Sequence, residues 1–139
     1  MNYPQDAFNG FDPQVDHDAA VKLTLSVIFM NERLNELSSL LTDGHEIGGL
    51  EGEPGWIIER RDAGPPGDHP YFANWPTSTH FHAHVDPRIF QLAFPDVFME
   101  THEFYGYVLK AVDEYLAKNP ADSRAAELIT SQINKSSSD

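Results

Sequence analysis

The segment that most constrains the fold is residues 79–85 (THFHAHV), in which histidines alternate with apolar side chains. Successive side chains of a β-strand point to opposite faces of a sheet, so His80, His82 and His84 share one face and the apolar side chains share the other. The apolar face needs a core to cover it, whereas the histidine face can meet water or a ligand. This alternation therefore predicts a half-buried strand in a sheet that is packed on one side.

A neighbouring strand is predicted at residues 56–60 (WIIER), and apolar residues alternate again over residues 88–94, after Asp86 and Pro87. Because an Asp-Pro pair interrupts a strand, residues 88–94 are predicted to pair back onto the histidine strand as a hairpin. Residues 63–76 contain four prolines and two glycines, which excludes regular structure there. The sheet is expected to be small and antiparallel.

A long N-terminal helix is predicted over residues 20–41, where apolar residues recur at alternating intervals of three and four. Asp16 or Asp18 can serve as its N-cap and Gly44 as its terminating residue. The repeating residues are Ala20, Leu23, Val27, Met30, Leu34, Leu37 and Leu41. Residues 21–29 also alternate as a strand would, so a strand followed by a short helix is the competing interpretation. We favour one helix because its period continues to the end of the segment.

Two C-terminal helices are predicted from about residue 98 onward. The apolar stripe of the first consists of Phe104, Val108, Ala111, Val112 and Tyr115, and that of the second of Ala125, Leu128, Ile129 and Ile133. Asn119 stops the first helix and can cap the second, with Pro120 at its first position. The sequence thus predicts an α+β fold, in which a small antiparallel sheet packs against a long N-terminal helix and two C-terminal helices.

The length and composition predict a single domain spanning residues 1–139, with 1–15 as an irregular arm and 135–139 as a frayed tail. The chain contains no cysteine, which excludes disulfides and thiolate metal sites. Residues 1–6 lack the basic and apolar regions of a signal peptide, and no apolar run approaches the roughly 20 residues that cross a bilayer. We expect a cytoplasmic protein that does not act at a membrane.

The strongest compositional signal is acidity, with 22 acidic against 9 basic side chains and a formal net charge of -13. A strongly negative surface repels nucleic acid and favours a cationic partner. The predicted partner-binding residues are four carboxylates of a glycine-rich loop and three nearby aromatic residues, namely Asp43, Glu46, Glu51, Glu53, Trp56, Tyr71 and Trp75. The alternative is that the loop is simply solvated and the aromatic rings fill the core.

The histidine row has two open interpretations. His80, His82 and His84 can ligate one divalent ion such as Zn²⁺, and the site can be completed by Asp86, Glu100, His102 or Glu103. Alternatively, the imidazoles face water and pair with carboxylates, which needs no cofactor. No glycine-rich phosphate loop, Gly-x-Ser-x-Gly elbow or thiol nucleophile is present, so the sequence favours a protein that is not an enzyme.

Residues 80–85 (HFHAHV) resemble the motif of the histidine-triad nucleotide hydrolases and transferases. That resemblance implies a nucleophilic role for His82 and a phosphate contact for His84. In that family the motif lies near the C-terminal end, whereas here 55 residues follow His84, and the net negative charge opposes a polyphosphate. A phosphate-handling or metal-dependent enzyme that uses the histidine row is therefore the alternative function.

Small size, acidity and aromatic loops together suit an inhibitor of a basic protein. Residues 94–100 (FPDVFME), followed by 103–107 (EFYGY), give the chain a resemblance to the immunity proteins of bacterial contact-dependent or secreted toxin systems. The resemblance implies that the protein binds a basic toxin domain, such as a nuclease, and covers its active or substrate-binding surface. It assigns no role to any individual residue.

Overall fold

The computed structural model describes residue 8 and residues 12–31, 33–41, 49–52, 55–61, 70–118 and 123–137. Within these residues the helices are α1 (Ala19–Met30), α2 (Leu34–Leu40), α3 (Pro87–Phe90), α4 (Thr101–Lys118) and α5 (Ser123–Ser137). The strands are β1 (Gly49–Gly52), β2 (Trp56–Arg60), β3 (Phe81–Val85) and β4 (Asp96–Met99), and a 3₁₀ turn spans Pro70–Phe72. Among the described helices, none is both long enough and apolar enough to cross a membrane.

The described strands form one antiparallel sheet in the order β1-β2-β3-β4. Side chains directly opposite one another on paired strands share a face. On the inner face one such row consists of Leu50, Ile58, Ala83 and Val97, and its first three members are buried. The fold is α+β, as the sequence predicted. The histidine strand β3 lies between β2 and β4, and its apolar side chains are buried.

Helix α1 lies at the centre of the molecule, between the sheet and α4. Its buried residues include Val21, Leu25 and Ile28, whereas Met30 of the predicted apolar stripe is 51% exposed. A helix covered on two sides is apolar around most of its circumference, so the repeat in the sequence did not identify the face that meets the sheet. Even Ser26 is buried, and its hydroxyl donates to the carbonyl of Lys22 at 2.7 Å.

The prediction of one long helix over residues 20–41 was wrong, and so was the alternative strand. Helix α1 ends at Met30, where the amide of Arg33 donates to the carbonyl of Ile28 at 3.0 Å, and a separate short helix follows. The repeat continues across the break because Leu34, Leu37 and Leu41, which follow it, are buried in the core. The second helix is held by tertiary contacts of its own, since α2 packs on β1 and α5.

The hairpin partner of the histidine strand was also misplaced. Pro87–Phe90 is a helical turn, capped by the Asp86 carboxylate, which accepts from the amide of Arg88 at 2.9 Å. Gln91 ends the turn with φ 48°, and strand β4 begins only at Asp96. An Asp-Pro pair favours the start of a helix as strongly as it favours a turn, because proline suits the first helical position.

The remaining helices and strands agree closely with the predictions from the sequence, with two differences. The apolar stripe of α4 is buried as predicted. In α5, Ile129 and Ile133 are buried, but Leu128 is 52% exposed, and Asn119 and Pro120 lie outside the described residues. The acidic segment that we interpreted as a loop contains strand β1, whose pairing with β2 is set by the sheet rather than by local propensity.

Buried Arg60 joins the sheet to helix α2. Its side chain points to the inner face, and the residue is only 4% exposed. The guanidinium donates to the carbonyl of Leu40 at 2.7 Å and to that of Ser39 at 3.3 Å, which satisfies acceptors at the end of α2. Arg60 therefore fixes where this short helix ends.

We expect Arg60→Met to lower the free energy of unfolding by about 1–3 kcal/mol, because it leaves buried carbonyls without donors while nearly conserving volume. Urea unfolding followed by circular dichroism measures the change. The control is Arg88→Met, since the Arg88 side chain is 88% exposed in its ion pair with Asp86. That control should leave the free energy of unfolding nearly unchanged, because an exposed ion pair contributes little to stability. Equal losses in the two variants would contradict this role.

Candidate functional site

The face of the sheet opposite α1, here called the open face, carries the histidine row. One row of outward side chains runs across all four described strands and consists of Glu51, Ile57, His84 and Asp96. The next row contains Glu59, His82 and Phe98, with Gly49 at its end. The strand register thus places two imidazoles next to carboxylates from neighbouring strands.

The two imidazoles converge on a single carboxylate oxygen. His82 Nε2 and His84 Nδ1 each lie 2.8 Å from Asp96 Oδ1. The other ring nitrogen of His82, Nδ1, lies 3.1 Å from Glu59 Oε2. A neutral imidazole can donate from only one nitrogen, so His82 donates to both carboxylates only in its protonated form.

The ring of His82 is held between two aromatic side chains. Phe98 stacks on it with ring centroids 4.2 Å apart and an interplanar angle of 8°, and Trp75 contacts it edge-on at 5.6 Å. The His82 side chain is only 14% exposed as a result. Its orientation is therefore fixed by packing, whereas the side chains of His84 and Asp96 are 38% and 45% exposed.

Tyr71 extends this network outward. Its hydroxyl donates to Glu59, and its ring packs edge-on against Phe72, which in turn contacts Trp75. Thus residues 70–75 cover the His82 row of the open face and leave the His84 row accessible. The hydrogen bond from Tyr71 also fixes the carboxylate that contacts His82.

Two pKa shifts report on the electrostatics of the site. Partial burial alone would raise the pKa of Asp96, but hydrogen bonds from His82 and His84 outweigh it and hold the pKa below its ordinary value. The hydrogen bond to Glu59 and partial burial raise the pKa of Tyr71 to about 12. Asp96 is therefore a stable anion, and Tyr71 keeps its proton over a wide pH range.

A pocket of about 550 Å³ opens beside His84. Its lining includes Glu51, Ile57 and Asp86, so it is bounded by carboxylates. Gly55 forms one wall with φ +130°, a conformation that L side chains rarely adopt, and its carbonyl accepts from the amide of Asp86 at 2.8 Å. Hydrogen bonding of Asp86 with Arg88 lowers the pKa of Asp86, so this carboxylate stays ionised.

Of the seven predicted docking residues, three lie outside the described residues and two are exposed at the open face. Asp43, Glu46 and Glu53 lie outside the described residues. Glu51 and Tyr71 are exposed on or beside the open face, and Tyr71 is 57% exposed.

The other two aromatic residues predicted to anchor a partner are less accessible. Trp75 is half-buried against His82 and Phe98. Trp56 is 3% exposed and belongs to the core, with the guanidinium of Arg33 over its ring at 5.3 Å. The accessible docking surface therefore does not include Trp56.

The structure also changes the set of histidines that can act together. Among the described residues, the side chains that could jointly hold a metal ion are those of His82, His84 and Asp96, without His80. None of the carboxylates proposed from the sequence completes this cluster, since Asp86 pairs with Arg88 instead. Asp96 was not among the predicted ligands because the partner strand was predicted at residues 88–94, whereas β4 begins at Asp96. Its position directly after Pro95 at the start of an apolar run was the available signal.

Comparison of the chain with protein-family models, with curated proteins and with solved structures finds no match. Any function proposed for the candidate site therefore rests on the geometry of its residues alone.

We expect Tyr71 to titrate near pH 12 in the folded protein and to shift toward its ordinary pKa of 10.0 in the Glu59→Gln variant, because an uncharged amide no longer favours the protonated phenol. The stability contributed by the raised pKa is complete below about pH 10 and is lost as pH rises through about 12. Ultraviolet difference absorbance against the Tyr71→Phe variant isolates this phenol. An unchanged titration in Glu59→Gln would contradict the contact.

Proposed function

We propose that this protein is an acidic inhibitor that binds a basic protein domain through the open face of its sheet. The observation that supports this most directly is the row that runs across the sheet from Glu51 to Asp96, with an exposed carboxylate at each end. A protein of net charge -13 attracts cationic partners over distances limited by salt screening. The carboxylates on the open face of the sheet give a cationic partner a defined surface on which to bind.

The pocket beside His84 adds to the charge complementarity. Glu51 and Asp86 both line it, and a lysine or arginine side chain from a partner can enter an opening of about 550 Å³. Arg88 offsets part of the charge of Asp86. Glu51 is therefore the carboxylate on which we expect a partner's cation to depend most.

Tyr71 is the aromatic anchor of the proposed surface. Amphipathic aromatic side chains contribute a large share of the affinity at many interfaces because they bury much area with few rotatable bonds. Tyr71 is 57% exposed, yet its hydroxyl is held by Glu59 and its ring by Phe72. It is thus ordered before a partner binds, which reduces the entropy lost on association.

We infer that the partner is a bacterial toxin domain that handles nucleic acid, so that the protein acts as an immunity protein in the cytoplasm. Surfaces that grip phosphate groups are rich in lysine and arginine, and carboxylates that cover them compete with the nucleic acid. This inhibition needs no cofactor. The resemblance in composition to immunity proteins supports the same class of function.

A phosphate-handling enzyme is less well supported. Both ring nitrogens of His82 contact carboxylates, from Glu59 and Asp96. These anions repel a phosphate group that approaches the ring. A nucleophilic histidine needs an accessible nitrogen next to cationic groups, which the described residues around His82 do not provide.

The test begins with the genes beside the one that encodes this chain, where we expect a secreted protein with a basic C-terminal toxin domain. The absence of such a gene would contradict the proposal, and its toxin domain, where present, is the partner used for binding. We expect a one-to-one complex that blocks nuclease activity, and Glu51→Lys should slow association by roughly 3-fold or more at low salt. Surface plasmon resonance at several salt concentrations measures both the rate and its salt dependence.

The matched control is a charge reversal on the helical side of the molecule, Glu127→Lys in α5, where the side chain is exposed. It changes the net charge by the same amount per residue but leaves the open face intact. A Glu51→Lys reversal that slows association no more than Glu127→Lys would contradict docking through the open face.

A further inference from the structure

The side chains that converge on the open face offer two imidazole nitrogens and one carboxylate oxygen. We propose that His82, His84 and Asp96 form a binding site for one divalent transition-metal ion, with Zn²⁺ as the representative ion. This site goes beyond inhibition of a partner and does not depend on it. Nitrogen and oxygen donors in this ratio suit Zn²⁺, Mn²⁺ or Fe²⁺, whereas Mg²⁺ and Ca²⁺ prefer oxygen ligands alone.

The distances fit such an ion. One donor atom from each of the three residues lies within 4.8 Å of the other two, and two of these separations are 2.8 Å. Donor atoms around a tetrahedral zinc ion lie about 3.3 Å apart, so the closest pairs need to open by about 0.5 Å. Exposed Asp96 can supply this movement by rotating its side chain. An ion then replaces the hydrogen bonds that now join the carboxylate to the two rings.

The surroundings of His82 provide an independent reason for the assignment. A metal-ligating histidine commonly donates its other ring N–H to a carboxylate, which sets the tautomer and orients the ring. Here His82 presents Nε2 to the cluster and Nδ1 to Glu59, and Glu59 is itself held by Tyr71. Stacking on Phe98 fixes the ring plane. A histidine that merely faces water requires none of these contacts.

The backbone keeps the donors together at little entropic cost. His82 and His84 lie two residues apart on β3 and so share a face, and Asp96 is the partner of His84 across the β3–β4 pair. All three donors thus come from paired strands rather than from separate loops. A site built on strands is largely formed before the ion arrives, which favours affinity.

The ion would lie beside the carboxylate-lined pocket, because His84 belongs both to the cluster and to the pocket lining. Three protein ligands leave a fourth position for water or for a donor from another molecule, as in catalytic zinc sites. The metal site would therefore be open to exchange of its fourth ligand.

The decisive experiment is isothermal titration of the untagged full chain with ZnCl₂, with MgCl₂ as the comparison. We expect one Zn²⁺ per chain and no Mg²⁺ binding at the same concentrations. His84→Gln and Asp96→Asn should each weaken Zn²⁺ binding by roughly 100-fold or more, because a neutral amide is a much poorer zinc ligand than an imidazole or a carboxylate. Both side chains are substantially exposed, so these variants should keep the fold, which circular dichroism checks.

The matched controls are His80→Gln, at the residue just before β3, and His102→Gln, whose side chain is 78% exposed at the start of α4. Both should bind Zn²⁺ as the unaltered chain does. Glu59→Gln should weaken binding by roughly 10- to 100-fold, since it removes the anion that orients His82. Zn²⁺ should also raise the Tm of the unaltered chain but not that of Asp96→Asn.

The proposal would be overturned if the unaltered chain bound no Zn²⁺, if Asp96→Asn and His84→Gln bound it unchanged, or if His80→Gln abolished binding. Binding of the basic partner is measured separately with Glu51→Lys, which leaves all three donors in place. Failure of either proposal is therefore distinguishable from failure of the other.

Discussion

The packing of α1 against one face of the sheet is the contact on which the rest of the structure depends. Leu25 and Ile28 of α1 are completely buried, and so are Ile58 and Ala83 on the inner face of the sheet. Because the hydrophobic effect favours burial of the apolar face, the alternate side chains of β3 must point to the opposite face. The position of the histidines on the open face is thus a consequence of where the core forms.

The open face combines groups that would be costly to bring together without compensation. Glu59 and Asp96 are two carboxylates brought close together by pairing with β3, and the imidazole of His82 lies between them. In an acidic chain, histidines placed between carboxylates reduce the repulsion between those carboxylates. The same arrangement leaves donor atoms directed at one point, which links the charge balance of the sheet to the proposed metal site. The pocket beside it contributes Glu51 and Asp86 to the proposed docking surface.

Local patterns in the sequence predicted the elements whose periodicity is set by one buried face. Strands β2 and β3 and helix α4 are of this kind, and His82 and His84 were placed on the correct face, whereas His80 precedes β3. The predictions were wrong where one sequence pattern is compatible with two structures. The period of residues 20–41 continues across the break between α1 and α2, and the Asp86-Pro87 pair suits a helical turn as well as a hairpin. In each case contacts with distant residues decided the outcome.

The sequence by itself determined the α+β class, the strongly negative charge and the alternation that separates the histidines from the core, because each depends only on composition or on a local repeat. Tertiary structure alone decided which carboxylates meet the imidazoles. The register of β3 with β2 and β4 brings Glu59 and Asp96 to His82 and leaves His80 outside the cluster. Register depends on how strands far apart in the chain bury their inner faces together, and a local pattern cannot specify that alignment.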